Sequence, residues 1–183
     1  MLAYRYINID DVKSRHRMTL DYAVSPRLTV GIERSGSDSS TAPVPNFSDA
    51  PFDWLRFSDG DALIIPRFSW FISPEKAHHP SLLLGMASDR LSTPQGQAFF
   101  LTAGKSIPNT PASVFISIKT NTTEGKTVYP FGANFQLGNS FVLQAINDSD
   151  YTHILLTKLT PMASYSILWA RTKHLGFQIG VAF

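Results

Sequence analysis

Arg5, Asp21, Glu33, Arg67, Asp89 and Lys119 are the residues of this chain whose charge and spacing suggest chemistry. Each falls on the less apolar phase of a segment in which every second residue is large and apolar. Arg5 lies between Tyr4 and Tyr6, Asp21 between Leu20 and Tyr22, and Arg67 between Pro66 and Phe68. Acids and bases sharing one face, shielded from bulk water, must pair, because an unpaired charge there costs several kcal/mol. Such a set either lines a constriction that selects solutes by charge or fills an enclosed space as a salt-bridge network. Arg5, Asp21 and Glu33 sit on consecutive segments, and Arg5 stands level with Asp21 if residues 10–15 close a regular hairpin.

Other chemistries find less support. There is no Cys, which excludes disulfides and thiolate chemistry. Two of the five His, His78 and His79, are adjacent, whereas metal ligands on one strand face stand two apart. His16, His153 and His174 lie near the ends of different segments, and no metal or other cofactor is expected. "NDSD" at 147–150 lacks the length and glycine of a calcium loop and reads as a solvated turn. "GFQIG" near the C-terminus is strand-like, not a phosphate-binding turn before a helix. A net charge of +2 with scattered Lys and Arg argues against nucleic acid as a partner.

The elements that position these residues are strands. Period-two alternation runs through almost the whole chain. In "RMTLDYAV", Met18, Leu20, Tyr22 and Val24 share one face; "SPR" then turns the chain, and Leu28, Val30 and Ile32 continue the pattern. Strands are expected near 2–9, 16–24, 28–34, 62–72, 81–88, 98–105, 112–120, 132–138, 141–146, 152–159, 164–171 and 176–183. Connections at 25–27, 73–80, 106–111, 138–140 and 160–163 are short. Those at 10–15, 35–61, 89–97, 121–131, 147–151 and 172–175 are read as the longer set. The stretch 35–61 is expected to be the main surface loop of a single domain spanning 1–183.

Charged residues make up only 16% of the chain and aromatic residues 12%, including 13 Phe; typical soluble domains carry about 25% charged residues. No apolar run approaches the roughly 18 residues of a membrane-spanning helix. A soluble barrel or sandwich and a membrane barrel both alternate, but with opposite faces outward. Here the less apolar face is rich in Gly, Ser, Thr, Asn and Gln, which suits a crowded lumen better than a solvated surface. Leu20, Val30, Ile116, Phe135, Trp169 and Ile179 are then expected to face lipid. Tyr22, Trp70, Phe141, Tyr165 and Phe183, with Phe135, fall near the short-turn ends of their strands, as an interfacial girdle would.

The chain ends in "HLGFQIGVAF". His174, Gly176, Ile179, Val181 and the final Phe183 resemble the terminal assembly signal of bacterial outer-membrane β-barrel proteins, with the apolar pair displaced two residues from the end. The resemblance implies an all-β, up-and-down antiparallel transmembrane β-barrel of about twelve strands (range 10–14). It implies insertion into the bacterial outer membrane by that membrane's assembly machinery, with the lipid bilayer as the other partner. No basic, apolar leader is visible, so a chain numbered from a mature or truncated start is expected. The function expected is a narrow porin-like channel or a structural surface barrel, not an enzyme. A soluble all-β ligand-binding module is the first alternative. The second is an outer-membrane barrel hydrolase, in which His153 and a Ser on a neighbouring strand would carry the chemistry.

Overall fold

The computed structural model describes residues 1–7, 15–37, 63–88, 97–121 and 125–183. They form β1 (Leu2–Ile7), β2 (Arg15–Ser25), β3 (Leu28–Ser37), β4 (Leu63–Ser73), β5 (Ser81–Ser88), β6 (Gln97–Ser106) and β7 (Ala112–Asn121). Then come β8 (Thr127–Val128), β9 (Phe131–Leu137), β10 (Phe141–Asn147), β11 (Thr152–Leu159), β12 (Ala163–Ala170) and β13 (His174–Val181). Every pairing is antiparallel, each strand lies beside its neighbours in sequence, and β1 pairs with β13 to close the sheet.

β8 and β9 are one stave. Thr127 pairs with Thr120 and Phe131 with Ile116 in unbroken register along β7. The N–H of Ser117 donates to the carbonyl of Pro130 at 2.7 Å; the return bond is the one a proline nitrogen cannot make. The barrel therefore has twelve staves, on the twelve segments that alternation marks.

The tight turns at one rim are built from local side-chain bonds. Ser25 Oγ accepts from the N–H groups of Arg27 and Leu28 at 3.2 and 3.0 Å. Thr160 Oγ1 donates to the carbonyl of Ala163 at 2.8 Å and accepts from its N–H at 2.9 Å. The opposite rim departs from the sequence reading in four places. Asn121, Thr127, Val128 and Phe131, read as part of the connection 121–131, are strand residues. β3 runs to Ser37, so residues 35–37 are strand and not loop; 38–61 lie outside the described residues. The connections after β10 and β12, read as long, are tight: 148–151 and 171–173.

The polarity of the wall is that of a membrane barrel. Leu20, Val30, Ile32, Ile116, Ile118, Phe135, Ile167, Trp169, Phe177 and Ile179 are exposed on the outer face. The inner face carries Ala3, Thr19, Glu33, Ile65, Ala98, Ser166 and Leu168, all buried. A soluble sandwich or barrel would have the reverse.

Two inward aromatic rings do not project across the bore. Phe100 lies in the notch left by Gly85 on the neighbouring strand, and Phe115 in that of Gly132. A Cβ on Gly132 would stand 2.6 Å from the Phe115 ring, and one on Gly85 would collide with Phe100. The glycines let the rings lie flat on the wall and keep space inside the barrel.

Candidate functional site

Strands β1 to β4 carry a cluster of charge on their inner face. Period-two geometry points Arg17, Thr19 and Asp21 inward from β2, Gly31 and Glu33 from β3, and Arg67 from β4. Register then decides who meets. Gly31 pairs with Asp21 on one side and Arg67 on the other. With no side chain between them, Arg67 Nε reaches Asp21 Oδ1 at 3.2 Å, across an intervening strand. Glu33, with 0% of its side chain exposed, forms an ion pair with Arg17 and lies 3.8 Å from an Arg67 terminal nitrogen. Two carboxylates thus sit between two guanidiniums, each acid in contact with at least one base.

Arg5 stands directly opposite Arg17, not level with Asp21 as the hairpin reading had it. The β1–β2 register sets Asp21 four residues further along. Like charges in directly opposed positions repel. The two guanidiniums turn apart, Arg17 to Glu33 and Arg5 to the amide oxygen of Gln178 on β13, with Nε donating at 2.7 Å. A cavity of about 100 Å³, lined by Arg5, Arg17, Thr19, Asp21, Arg67 and Gln178 among others, lies against this wall. That is room for several waters. Arg17 was not picked out from the sequence, although it shares the phase of Asp21. Its neighbour His16 blurs the alternation there.

The facing wall is different. Thr102 and Ser117 hydroxyls bond at 2.7 Å, and those of Thr157 and Ser166 at 2.9 Å. Gln144 donates to Asn134 at 2.7 Å, and Asn134 to Ser113 at 3.3 Å. These are short, neutral groups that satisfy one another. Lys119 points inward from β7, six staves from β1, opposite Phe100 and near the rim away from the tight turns. Asp89 lies outside the described residues.

On the outer face, Leu20, Val30, Ile116, Phe135, Trp169 and Ile179 are all exposed. Tyr22, Trp70, Phe141 and Tyr165 are exposed near the tight-turn rim, and Phe183 is exposed beyond the last strand. Toward the other rim, Phe99 and Trp169, near the ends of β6 and β12, are exposed aromatics, with Phe131 and Phe177 nearer the middle of the wall. In β13, Ile179 and Val181 face outward, while Gly176 is buried and His174 half-buried on the inner face.

Among the described residues no group of three His, Asp or Glu is arranged to hold a metal. His78 and His79 lie in an exposed turn. His153 is held at both ring nitrogens. Nδ1 accepts the Arg171 N–H at 3.2 Å, and Nε2 lies 2.6 Å from Asp148 Oδ2. The other oxygen of Asp148 accepts from the N–H groups of Asp150 and Tyr151 at 2.9 and 2.7 Å. Burial pushes this carboxyl up, but the bonds from His153 and the two backbone groups outweigh it and hold it below its ordinary value. So bonded, the imidazole has no lone pair with which to take a proton from a serine.

No family model and no curated protein matches the chain. Among solved structures it is similar to one titled "KdgM porin", with a TM-score of 0.62 and 9% identity, over 100% of this chain and 98% of that one. The fold is that of a porin barrel. At that identity the likeness is one of architecture. It runs from end to end of both chains.

Proposed function

We propose that the protein is a narrow, porin-like channel of the bacterial outer membrane, non-enzymatic, with selection set by its charged wall. The observation that carries this is the asymmetry of the bore. The charge on β1–β4 faces hydroxyls and amides, with Lys119 the one charged side chain described among them, across a hydrated space. Two walls of that kind put a transverse field across any solute that passes. Twelve staves enclose a bore wider than the filled eight-stranded barrels and narrower than open porins of sixteen to eighteen. On the charged wall three guanidiniums, Arg5, Arg17 and Arg67, stand against two carboxylates, Asp21 and Glu33. Lys119 adds a further positive charge, so the bore favours anions modestly.

The outward apolar face, the exposed aromatics toward both rims and the likeness to a porin support the outer-membrane location. The pattern of His174, Gly176, Ile179, Val181 and Phe183 supports delivery by the outer-membrane assembly machinery. The engagement of both His153 nitrogens weighs against the hydrolase alternative. The test is a planar bilayer holding barrel that migrates as folded protein in unheated gels. Discrete conductance steps are expected, with a reversal potential displaced toward chloride under a KCl gradient. A folded, inserted barrel that passes no ions would replace the channel with a structural barrel plugged by its own salt bridges.

A further inference from the structure

The outer face of the strands carries very few charged side chains, and every one described there is a cation: Arg34, Lys105 and Lys158. Two of the three are satisfied within the protein, both at the tight-turn rim. Lys105 Nζ lies 3.2 Å from Glu75 and donates to the carbonyls of Lys76 and Ala77 at 2.6 and 3.0 Å. Lys158 Nζ sits 5.9 Å from the centre of the Phe141 ring. Arg34 is the exception. It is exposed on the outer face of β3, at the opposite end of the barrel, with no acid or hydrogen-bond partner among the described residues.

Its surroundings are apolar and aromatic. Arg34 pairs with Met18 on one side and Ile64 on the other. Diagonal to it on the same face is His16, which pairs with Gly36 and Tyr6. Same-face diagonal neighbours lie roughly 7–8 Å apart. The Tyr4 hydroxyl is 2.6 Å from His16 Nδ1, and the rings of Tyr4, Tyr6, His16 and Phe177 contact one another. Arg34 stands three residues before Ser37, the end of β3, which is about 10 Å along the strand. A guanidinium at that depth reaches the headgroup region and not the hydrocarbon centre.

We propose that Arg34, beside the Tyr4–His16 pair, is a site for the phosphate of an outer-leaflet glycolipid. The inference rests on the outer-membrane reading, in which the rim of short turns faces the periplasm and this opposite rim, with the longer connections, faces the outer leaflet. A planar guanidinium pairs with phosphate through two parallel N–H bonds, which a lysine cannot reproduce. The aromatic cluster gives the sugar and the first methylenes of such a lipid a flat surface to rest on. Charge complementarity selects the occupant. A zwitterionic headgroup leaves part of the positive charge uncompensated, and a second copy of this chain would bring a like charge.

The test is native mass spectrometry of the whole barrel released from nanodiscs of phosphatidylcholine doped with bisphosphorylated lipid A, with its dephosphorylated form, or with inorganic phosphate in the buffer. The wild-type barrel should retain one phosphorylated lipid A. Arg34→Gln should retain at least tenfold less, Arg34→Lys an intermediate amount, and Lys158→Gln as much as wild type. Equal retention by Arg34→Gln, or of the dephosphorylated form by wild type, would overturn the proposal. So would phosphate binding from the buffer with no preference for the lipid. A barrel that does not enter nanodiscs at all would remove the outer-membrane reading and this inference with it, and gel migration distinguishes that case.

Discussion

Arg67 meets Asp21 over Gly31. The three residues lie in one row across β4, β3 and β2, and the bridge of 3.2 Å forms because the middle strand offers no side chain at that level. A Cβ at position 31 would collide with the Asp21 carboxylate and the Leu20 carbonyl. Gly31→Ala should therefore break the bridge and strain the backbone, costing about 1–3 kcal/mol. Urea unfolding in lipid vesicles measures the cost. An unchanged midpoint would mean that the wall is looser than its contacts imply.

Removing each acid should have a different effect. Glu33 is the deeper one, between Arg17 and Arg67. Glu33→Gln removes the negative charge paired with the buried Arg17 and should cost about 3–5 kcal/mol. Asp21→Asn leaves Arg67 still close to Glu33 and should cost about 1.5–3 kcal/mol, the range of a hydrogen bond to a charged group. Each change also removes one negative charge from the wall, leaving it one unit more positive. The chloride preference should rise in both, measured as reversal potential, with the loss of stability larger for Glu33→Gln. A selectivity indifferent to both would show that the permeating ions do not pass this wall.

The faces of the strands and the charges on them were largely legible in the sequence, because alternation is a property of each segment alone. Asp21 and Arg67 announce their side by their apolar neighbours, and Glu33 by the alternation of Leu28, Val30 and Ile32 before it. What meets what was not legible. Whether Arg5 stands opposite Asp21 or Arg17 depends on the register between β1 and β2, and loop length does not fix that where the loop is not a tight hairpin. The same holds for the Gly31 notch, whose meaning needs both neighbouring strands in place. The contact of Asp148 with His153 depends on a turn folding back on itself, for which "NDSD" gave only the solvated loop.

Ile116 and Ser117 are adjacent on β7 and face opposite media. Ile116 is 57% exposed on the outer face near the middle of its strand, and Ser117 bonds Thr102 inside. Ile116→Arg should cost about 2–4 kcal/mol in a bilayer, the charge standing near the midplane. Ser117→Arg places the same charge in the hydrated bore. It should be tolerated far better, with a smaller single-channel conductance and a greater preference for anions. Reversed costs would reverse the assignment of the two faces.

At the rim away from the tight turns, the β12–β13 turn has a conformation its residues disfavour. Arg171 and Thr172 have φ of 54° and 53°, and the Lys173 N–H closes the turn on the Ala170 carbonyl at 3.1 Å. This is the geometry that Asn-Gly adopts readily and that a β-branched threonine resists. Its compensation comes from the neighbouring turn. The Arg171 N–H donates to His153, His153 is held by Asp148, and the Arg171 guanidinium lies 4.3 Å from the centre of the Tyr151 ring. Replacing the pair as Arg171→Asn with Thr172→Gly should relieve about 1–2 kcal/mol per residue of left-handed strain, less whatever the lost Tyr151 contact contributed. The Asp148 anchor adds a pH dependence. Its carboxyl pKa is lowered in the fold, so the stability it supplies is present in full above the ordinary carboxylate value and is lost as pH falls through the lowered one. Amide exchange of Arg171 in the folded barrel should accelerate, relative to that of strand amides such as Ile116, as the pH falls below the ordinary carboxylate value and through the lowered one. In Asp148→Asn it should be faster already at neutral pH and should lose that step. If the variant kept the acid step, the titrating group would lie elsewhere on the rim, and the coupling from Asp148 through His153 to the strained turn would be wrong.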